Sequence, residues 1–270
     1  MQNRSLTQRP EHFTLNPYSS LNEGLVFAGL GNAPGSTQYR DSGGYNDGTL
    51  TNMDPPTDWV WSAELNRWAL DFDGVGDGVE LNGASTLLGS ASEFTVHLFL
   101  KVASFIGTDY ILDSTDGGIG LMLRTNVSGQ LYFLLFRSGG MAIAHADFSS
   151  HYGEWASVTA VMSTSDTILY FNGNIIDQGS GIVGNLVTSS VMRLGTNFVG
   201  ASGMAMSASD FIIYNRALST IEIQQLADPS NVMLSGLILP PKRRIFTTTA
   251  GPAFKPFWAR HSNNLIGAGI

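Results

Sequence analysis

The sequence contains no cysteine. That excludes a disulfide framework, cysteine-ligated zinc and a cysteine nucleophile, and it weighs mildly against an oxidising, extracellular setting. Charge is scarce as well: Asp, Glu, Lys and Arg make up 13% of the 270 residues, against about a quarter in ordinary globular chains. Long apolar runs are missing. The densest, Leu131 to Phe136, is far too short to span a bilayer. The opening residues, MQNRSLTQRPEHF, hold no apolar core, so no signal peptide is expected, and the sequons at Asn3 and Asn126 then mean little. No Gly-x-Ser-x-Gly elbow, His-Glu-x-x-His pair or phosphate-binding loop is present. His12, His97, His145, His151 and His261 are scattered without ligand spacing. Asp71-x-Asp73 opens like a calcium loop, but Val75 follows and no acidic residue closes it, which excludes an EF-hand.

Basic residues are few and unevenly placed. From Pro229 onward there are five (Lys242, Arg243, Arg244, Lys255 and Arg260) and no acidic residue, so a net charge of −8 divides into a body at −13 and a basic tail. The split implies either a tail that docks on an acidic surface or a flexible, solubilising end. The negative body disfavours nucleic acid.

What is abundant is glycine, with 31 residues, alongside 43% hydrophobic residues. Many glycines, few charges and short alternating runs imply an all-β globule with many turns. The central stretch is Trp68 to Asn82, WALDFDGVGDGVELN. Its period-2 alternation before Gly74 and its glycines at 74, 76 and 78 predict a β-hairpin that starts a sheet. Residues 1–20 predict an extended arm, and Gly24 to Leu30 a strand. Glu93 to Val102 alternates, with His97 on the face away from Phe94, Val96 and Leu98, as a surface or second-layer residue. Trp155 to Met162 carries uncharged residues on both faces, as in a central strand. Thr167 to Gln178 predicts a hairpin turning at Asn172-Gly173. Asn197 to Ser209 is a small-residue loop. Ser219 and Glu222 form a capping box for a helix that Asp228-Pro229 ends.

Four motifs in order resemble the laminin-G-like, or concanavalin-A-like, jelly-roll domains. They are Asp41-Ser-Gly-Gly-Tyr-Asn-Asp-Gly-Thr-Leu50, Phe72-Asp-Gly-Val-Gly-Asp-Gly-Val79, Trp155 followed by Leu169-Tyr-Phe-Asn-Gly173, and Asp210-Phe-Ile-Ile-Tyr-Asn-Arg-Ala-Leu-Ser219. The resemblance covers about Gly24 to Ala227. It implies a two-sheet antiparallel jelly-roll sandwich over residues 21–230, between the N-terminal arm and a C-terminal anchoring segment, residues 231–270. It also implies a calcium site between the Asp41 loop and the strand at Asp210, with Asp41, Asn46 and Asp210 as ligands; turn capping is the alternative role for all three. Sugar binding through loop aromatics would use Tyr45, Trp59, Trp61 and Tyr152, although tryptophans placed like Trp59 and Trp61 more often pack to close the end of a sandwich. The Glu-x-Asp-x-x-Glu run of the glucanase relatives is absent, so hydrolysis is not expected.

The C-terminal segment carries Phe254, Phe257 and Trp258 beside its basic residues, a composition that buries against the same chain, a neighbouring copy or another protein. Its ending resembles the C-terminal peptides of structural proteins in tailed-phage genomes. Together these features imply a non-enzymatic virion protein, a capsid decoration or fibre subunit made in the host cytoplasm. It would be anchored to other virion proteins or to copies of itself, as a homo-oligomer, without membrane insertion. A carbohydrate-binding lectin is the alternative.

Overall fold

The computed structural model describes residues 15–30, 35–44, 46–84, 88, 91–105, 107–115, 120–137, 139–180, 184–186, 189–228 and 237–238. They build two antiparallel sheets with little helix, the jelly-roll sandwich expected from the sequence. The first sheet runs β14 (Asn174–Ser180), β13 (Asp166–Phe171), β12 (Ala156–Met162), β7 (Phe94–Lys101), β16 (Ala205–Tyr214), β5 (Arg67–Asp73), β4 (Trp59–Ser62). β1 (Leu25–Gly29) also pairs with β16. The second runs β11 (Gly140–Asp147), β10 (Gln130–Arg137), β9 (Leu121–Thr125), β8 (Tyr110–Asp113), β15 (Val191–Leu194), β6 (Gly78–Asn82), β3 (Gly48–Thr51), β2 (Gln38–Tyr39).

Alternation decides the core. Phe94, Val96, Leu98 and Leu100 of β7, and Leu131, Phe133 and Leu135 of β10, point between the sheets and are buried there with Val158, Leu169 and Phe211. β12 is buried along its whole length, as a strand covered on both faces should be. Its cover on the outer face is a second apolar cluster in which Leu21, Val161, Tyr170, Ile212 and Tyr214 pack with Leu226 of α2 (Thr220–Ala227) and with Leu237 and Ile238. Leu15 bridges Ile238, and the Asn16 N–H donates to the Leu237 carbonyl at 2.8 Å. Residues 15–20 and 237–238, within the segments read above as an arm and a tail, are folded onto the sandwich.

The stretch Trp68 to Asn82 departs from the expectation. It is two strands but no hairpin: β5 pairs with β4 and β16, while β6 pairs with β15 and β3 in the other sheet. The chain crosses from sheet to sheet at residues 74–77. Gly74 and Gly76 adopt φ of 83° and 98°, and side chains replace the ladder: Asp73 Oδ1 accepts from Val75 N at 2.6 Å and Asp77 Oδ2 from Asp73 N at 3.0 Å. The small-residue loop is also shorter than expected, because β16 begins at Ala205.

His97 is more deeply placed than its strand face suggested. It is fully buried on the outer face of the first sheet; one ring nitrogen, Nδ1, lies 2.8 Å from Thr159 Oγ1, and Phe99 packs edge-on against the ring. Burial, helped by the nearby Arg67 charge, lowers its pKa to about 3, so it is neutral at ordinary pH. The edges β14 and β11 meet at one side of the sandwich. There the His145 N–H donates to Asp177 Oδ2 at 2.7 Å, and Gly179 lies so close to the Ile143 carbonyl that a Cβ would overlap its oxygen.

Candidate functional site

The most built surface feature lies at the β8–β15–β6 end of the second sheet. Pairing sets Arg193 opposite Glu80 on one side and Asp113 on the other. Arg193 Nη2 donates to Glu80 Oε1 at 2.9 Å. Its Nη1 reaches over the loop after β15 and donates to the Phe198 carbonyl. From the other side the Phe198 N–H donates to Asp113 Oδ2 at 2.9 Å. Asp113 is itself fixed, its Oδ1 accepting from Thr115 N at 2.8 Å and Thr115 Oγ1 at 2.7 Å. Burial raises the pKa of Asp113, and the hydrogen bonds from Thr115 and Phe198 oppose that shift.

The backbone of one residue, Phe198, is therefore clamped between a guanidinium and a buried carboxylate. The loop is tied further by Asn197, whose Oδ1 accepts from Ala201 N at 2.9 Å and whose N–H donates to the Ser202 carbonyl at 2.8 Å. The result is an exposed apolar tip on a rigid base: Phe198 is 39% exposed, Val199 61%, and Val75 of the adjoining crossing 80%. Thr51, Gly76, Glu80, Arg193, Thr196 and Gly200 line a small depression beside it. Sequence reasoning missed Phe198 because its loop read as small residues. The available signal was an aromatic-aliphatic pair in an otherwise small, polar loop.

The candidate residues named from the sequence are placed elsewhere. Asp41 organises its own loop: Oδ1 accepts from Ala28 N and Gly43 N, both at 2.9 Å, and Oδ2 from Asn46 N at 3.3 Å. Asn46 reaches away to the Asn82 carbonyl at 2.5 Å. Asp210 is drawn into an ion pair with Arg67 on the outer face of the first sheet, with both side chains fully buried. Asp41 and Asn46 thus share a loop whose carboxylate oxygens accept backbone N–H groups, and Asp210 is bonded to a cation. Among the described residues no group of three His, Cys, Asp or Glu could hold a metal ion.

Trp59 is a core residue, stacked on Tyr39 with ring centroids 6.0 Å apart, its indole N–H donating to the Ser36 carbonyl at 3.0 Å. It offers no open face to a sugar. Trp61, half-buried on the edge strand β4, packs edge-on to Trp68. Tyr152, also half-buried, packs on Phe105 and Phe148 ahead of β12. β7, β16 and β5 lie between β12 and β4, so the structure does not gather these aromatics into one site. Tyr45, Lys242, Arg243, Arg244, Phe254, Phe257, Trp258 and Arg260 lie outside the described residues.

A family model described as the concanavalin A-like lectin/glucanases superfamily matches residues 73–224, more than half of the chain. The chain belongs to this superfamily. The matched span of this concanavalin A-like domain contains Glu80, Asp113, Arg193 and Phe198. No curated protein matches it. Among solved structures it is similar to the receptor binding domain of botulinum neurotoxin C/D mosaic serotype (TM-score 0.62, 16% identity, 76% of this chain and 51% of that one). It is similar to a botulinum neurotoxin type C structure whose description makes cell entry dependent on two ganglioside molecules (TM-score 0.60, 16% identity, 77% and 52%). It is also similar to the binding domain of botulinum neurotoxin DC in complex with rat synaptotagmin II (TM-score 0.56, 15% identity, 77% and 52%). The concanavalin A-like chain spans about half the length of each, and the likeness is one of fold.

Proposed function

We propose that this concanavalin A-like domain is a non-enzymatic recognition module that takes a glycan at its Phe198 tip, displayed on a virion by its C-terminal segment. The observation that carries the reading is the clamp on Phe198. A part-exposed phenylalanine whose backbone is held by two charged side chains on strands offers a placed aromatic residue to stack against the apolar C–H face of a sugar. Glu80 and Thr51 beside it supply hydroxyl partners. One fold neighbour is a binding domain in complex with rat synaptotagmin II, and another is described by the dependence of cell entry on two ganglioside molecules, which supports recognition over turnover. The sequence lacks the paired-carboxylate run of the glucanases.

Display on a particle is supported by the acidic body, the basic and aromatic segment after Pro229, and the likeness of that ending to phage structural proteins.

A glycan array with the full chain and with Phe198→Ala tests the reading. Wild type should give hits that Phe198→Ala loses while its melting temperature stays unchanged; an array with no wild-type signal above background defeats the glycan assignment. Asp113→Asn should weaken the same hits and speed amide exchange at Phe198, because the amide NH₂ or a turned carbonyl cannot satisfy both Thr115 and Phe198 as the carboxylate does. Removal of residues 241–270 should stop incorporation into particles and leave the sandwich folded; a truncated chain that still loads removes the anchoring role.

A further inference from the structure

The depression beside the Phe198 tip lies where residue 78 has no side chain. Val79 and Leu81 of β6 point into the core, so Gly78 and Glu80 face outward by alternation. Gly78 pairs with Thr51 of β3, and a Cβ on it would stand 2.9 Å from Thr196 Cγ2. Gly78 does not adopt a positive φ, so its backbone conformation does not require glycine. Glycine inside a strand often marks a place where another group approaches closely. Two loops wall the depression. A Cβ on Gly76 would stand 3.2 Å from Asn52 Nδ2 and 3.4 Å from the Gly200 carbonyl oxygen. The free space is about 20 Å³, lined mostly by apolar atoms. That is room for one group the size of a water molecule or a methyl.

A water in an apolar hole finds few hydrogen-bond partners, so an apolar group that displaces it gains affinity. The rim, by contrast, is polar. Glu80 is neutralised by Arg193 through Oε1, so it needs no cation from a ligand. Its Oε2 and the Thr51 hydroxyl take part in no hydrogen bond among the described residues. An acceptor and a hydroxyl beside a methyl-sized hole complement an acetamido group, which brings one N–H, one carbonyl and one methyl. The hole and the Phe198 ring belong to one surface: Arg193 lines the hole and holds the Phe198 carbonyl, and Gly200, two residues on from Phe198, lines it too. Resting on the glycan reading of this tip, we propose that it selects N-acetylated amino sugars. The pyranose ring lies against Phe198 and the acetyl methyl enters the depression over Gly78. The amide N–H donates to Glu80 Oε2, and the acetyl carbonyl accepts from Thr51 Oγ1. The acetamido group takes the place of one sugar hydroxyl at the same partners.

The test is an NMR titration of the full chain, with saturation transfer to the ligand, using N-acetylglucosamine, N-acetylgalactosamine, glucose, galactose and fucose. At least one N-acetylated sugar should bind about tenfold more tightly than its parent hexose, the discrimination that one buried methyl group supports. Its acetyl methyl should receive the strongest saturation. Gly78→Ala fills the depression and should bring that sugar within about twofold of the hexose. Gly78→Ala combined with Thr196→Ser, which removes the methyl in the way of the new one, gives the same reading if the single variant fails to fold. Equal binding of hexose and N-acetylated sugar, lost in Phe198→Ala, overturns the selection and leaves the glycan reading standing. Fucose bound as tightly as the N-acetylated sugar overturns it too, because the hole then takes any methyl group without help from Glu80 and Thr51. No saturable binding of any of these sugars overturns the selection alone where the glycan array gives Phe198-dependent hits, and both readings where the array is silent.

Discussion

Arg67 and Asp210 form an ion pair on the outer face of the first sheet, with both side chains wholly out of water. Asp210 sits at φ 50°, in a bulge where the β16–β7 register shifts between Ser209 and Ile212. Arg67 also lies 5.1 Å over the Phe99 ring, and Phe99 packs on His97. The pair thus heads a row of buried side chains that crosses from β5 through β16 and β7 to Thr159 of β12.

Breaking the pair on one side strands a charge. Arg67→Met should destabilise the domain by about 3–5 kcal/mol, since the Asp210 carboxylate is then left in an apolar setting. Arg67→Met combined with Asp210→Asn should regain a large part of that loss, because asparagine tolerates the left-handed conformation and carries no charge. Urea unfolding of the three proteins decides it; a double variant no better than Arg67→Met would mean the carboxylate is not what the arginine neutralises.

The capping carboxylate of α2 makes a pH prediction. Glu222 accepts from Ser219 N at 2.9 Å and from two nitrogens of Arg216, at 3.0 and 2.6 Å, and these bonds, with that to Arg216 first, lower its pKa to about 2. A carboxylate held below its unfolded value contributes stability above about pH 4.5, and that contribution is lost as pH falls toward 2. Glu222→Gln should flatten this part of the acid limb and cost about 1 kcal/mol near neutrality through the weakened cap. Melting temperatures of both proteins from pH 2 to 7 check it. Parallel curves below pH 4.5 would show that other groups carry the acid transition.

Local rules made some of this structure legible in the sequence. The capping box, the Asn172-Gly173 turn and the doubly covered strand β12 each depend on residues within a few positions of one another, and each forms as expected. The pairing of β5 and β6 did not follow, because alternation reveals a strand and a buried face but not which sheet the strand joins. The Phe198 clamp was illegible for a different reason: Asp113 and Phe198 are 85 residues apart in the chain, and only the β15–β8 pairing brings them together. His97 was assigned to the outer face and is buried because the first sheet has a cover on that side, which strand periodicity does not report.

The last prediction concerns the seam where β11 and β14 meet. An edge strand exposes unpaired N–H and C=O groups that can template pairing with another chain. Here the two edges occupy each other: Asp177 accepts from the His145 N–H, and Gly179 lets the β14 backbone approach the Ile143 carbonyl. His145 stacks on Tyr132 with centroids 5.0 Å apart, and Arg124 lies over the same Tyr132 ring, so the β11 side of the seam is braced across three strands. A methyl at residue 179 has nowhere to go, since its neighbour is backbone rather than a flexible side chain. Gly179→Ala should therefore part the edges, cost about 1–3 kcal/mol as other overpacked sites do, and expose both strands. Light scattering at raised concentration should show association of the variant under conditions where the parent stays dispersed. A destabilised variant that remains dispersed would separate the packing role of Gly179 from protection of the edges, and would place that protection on Asp177 instead.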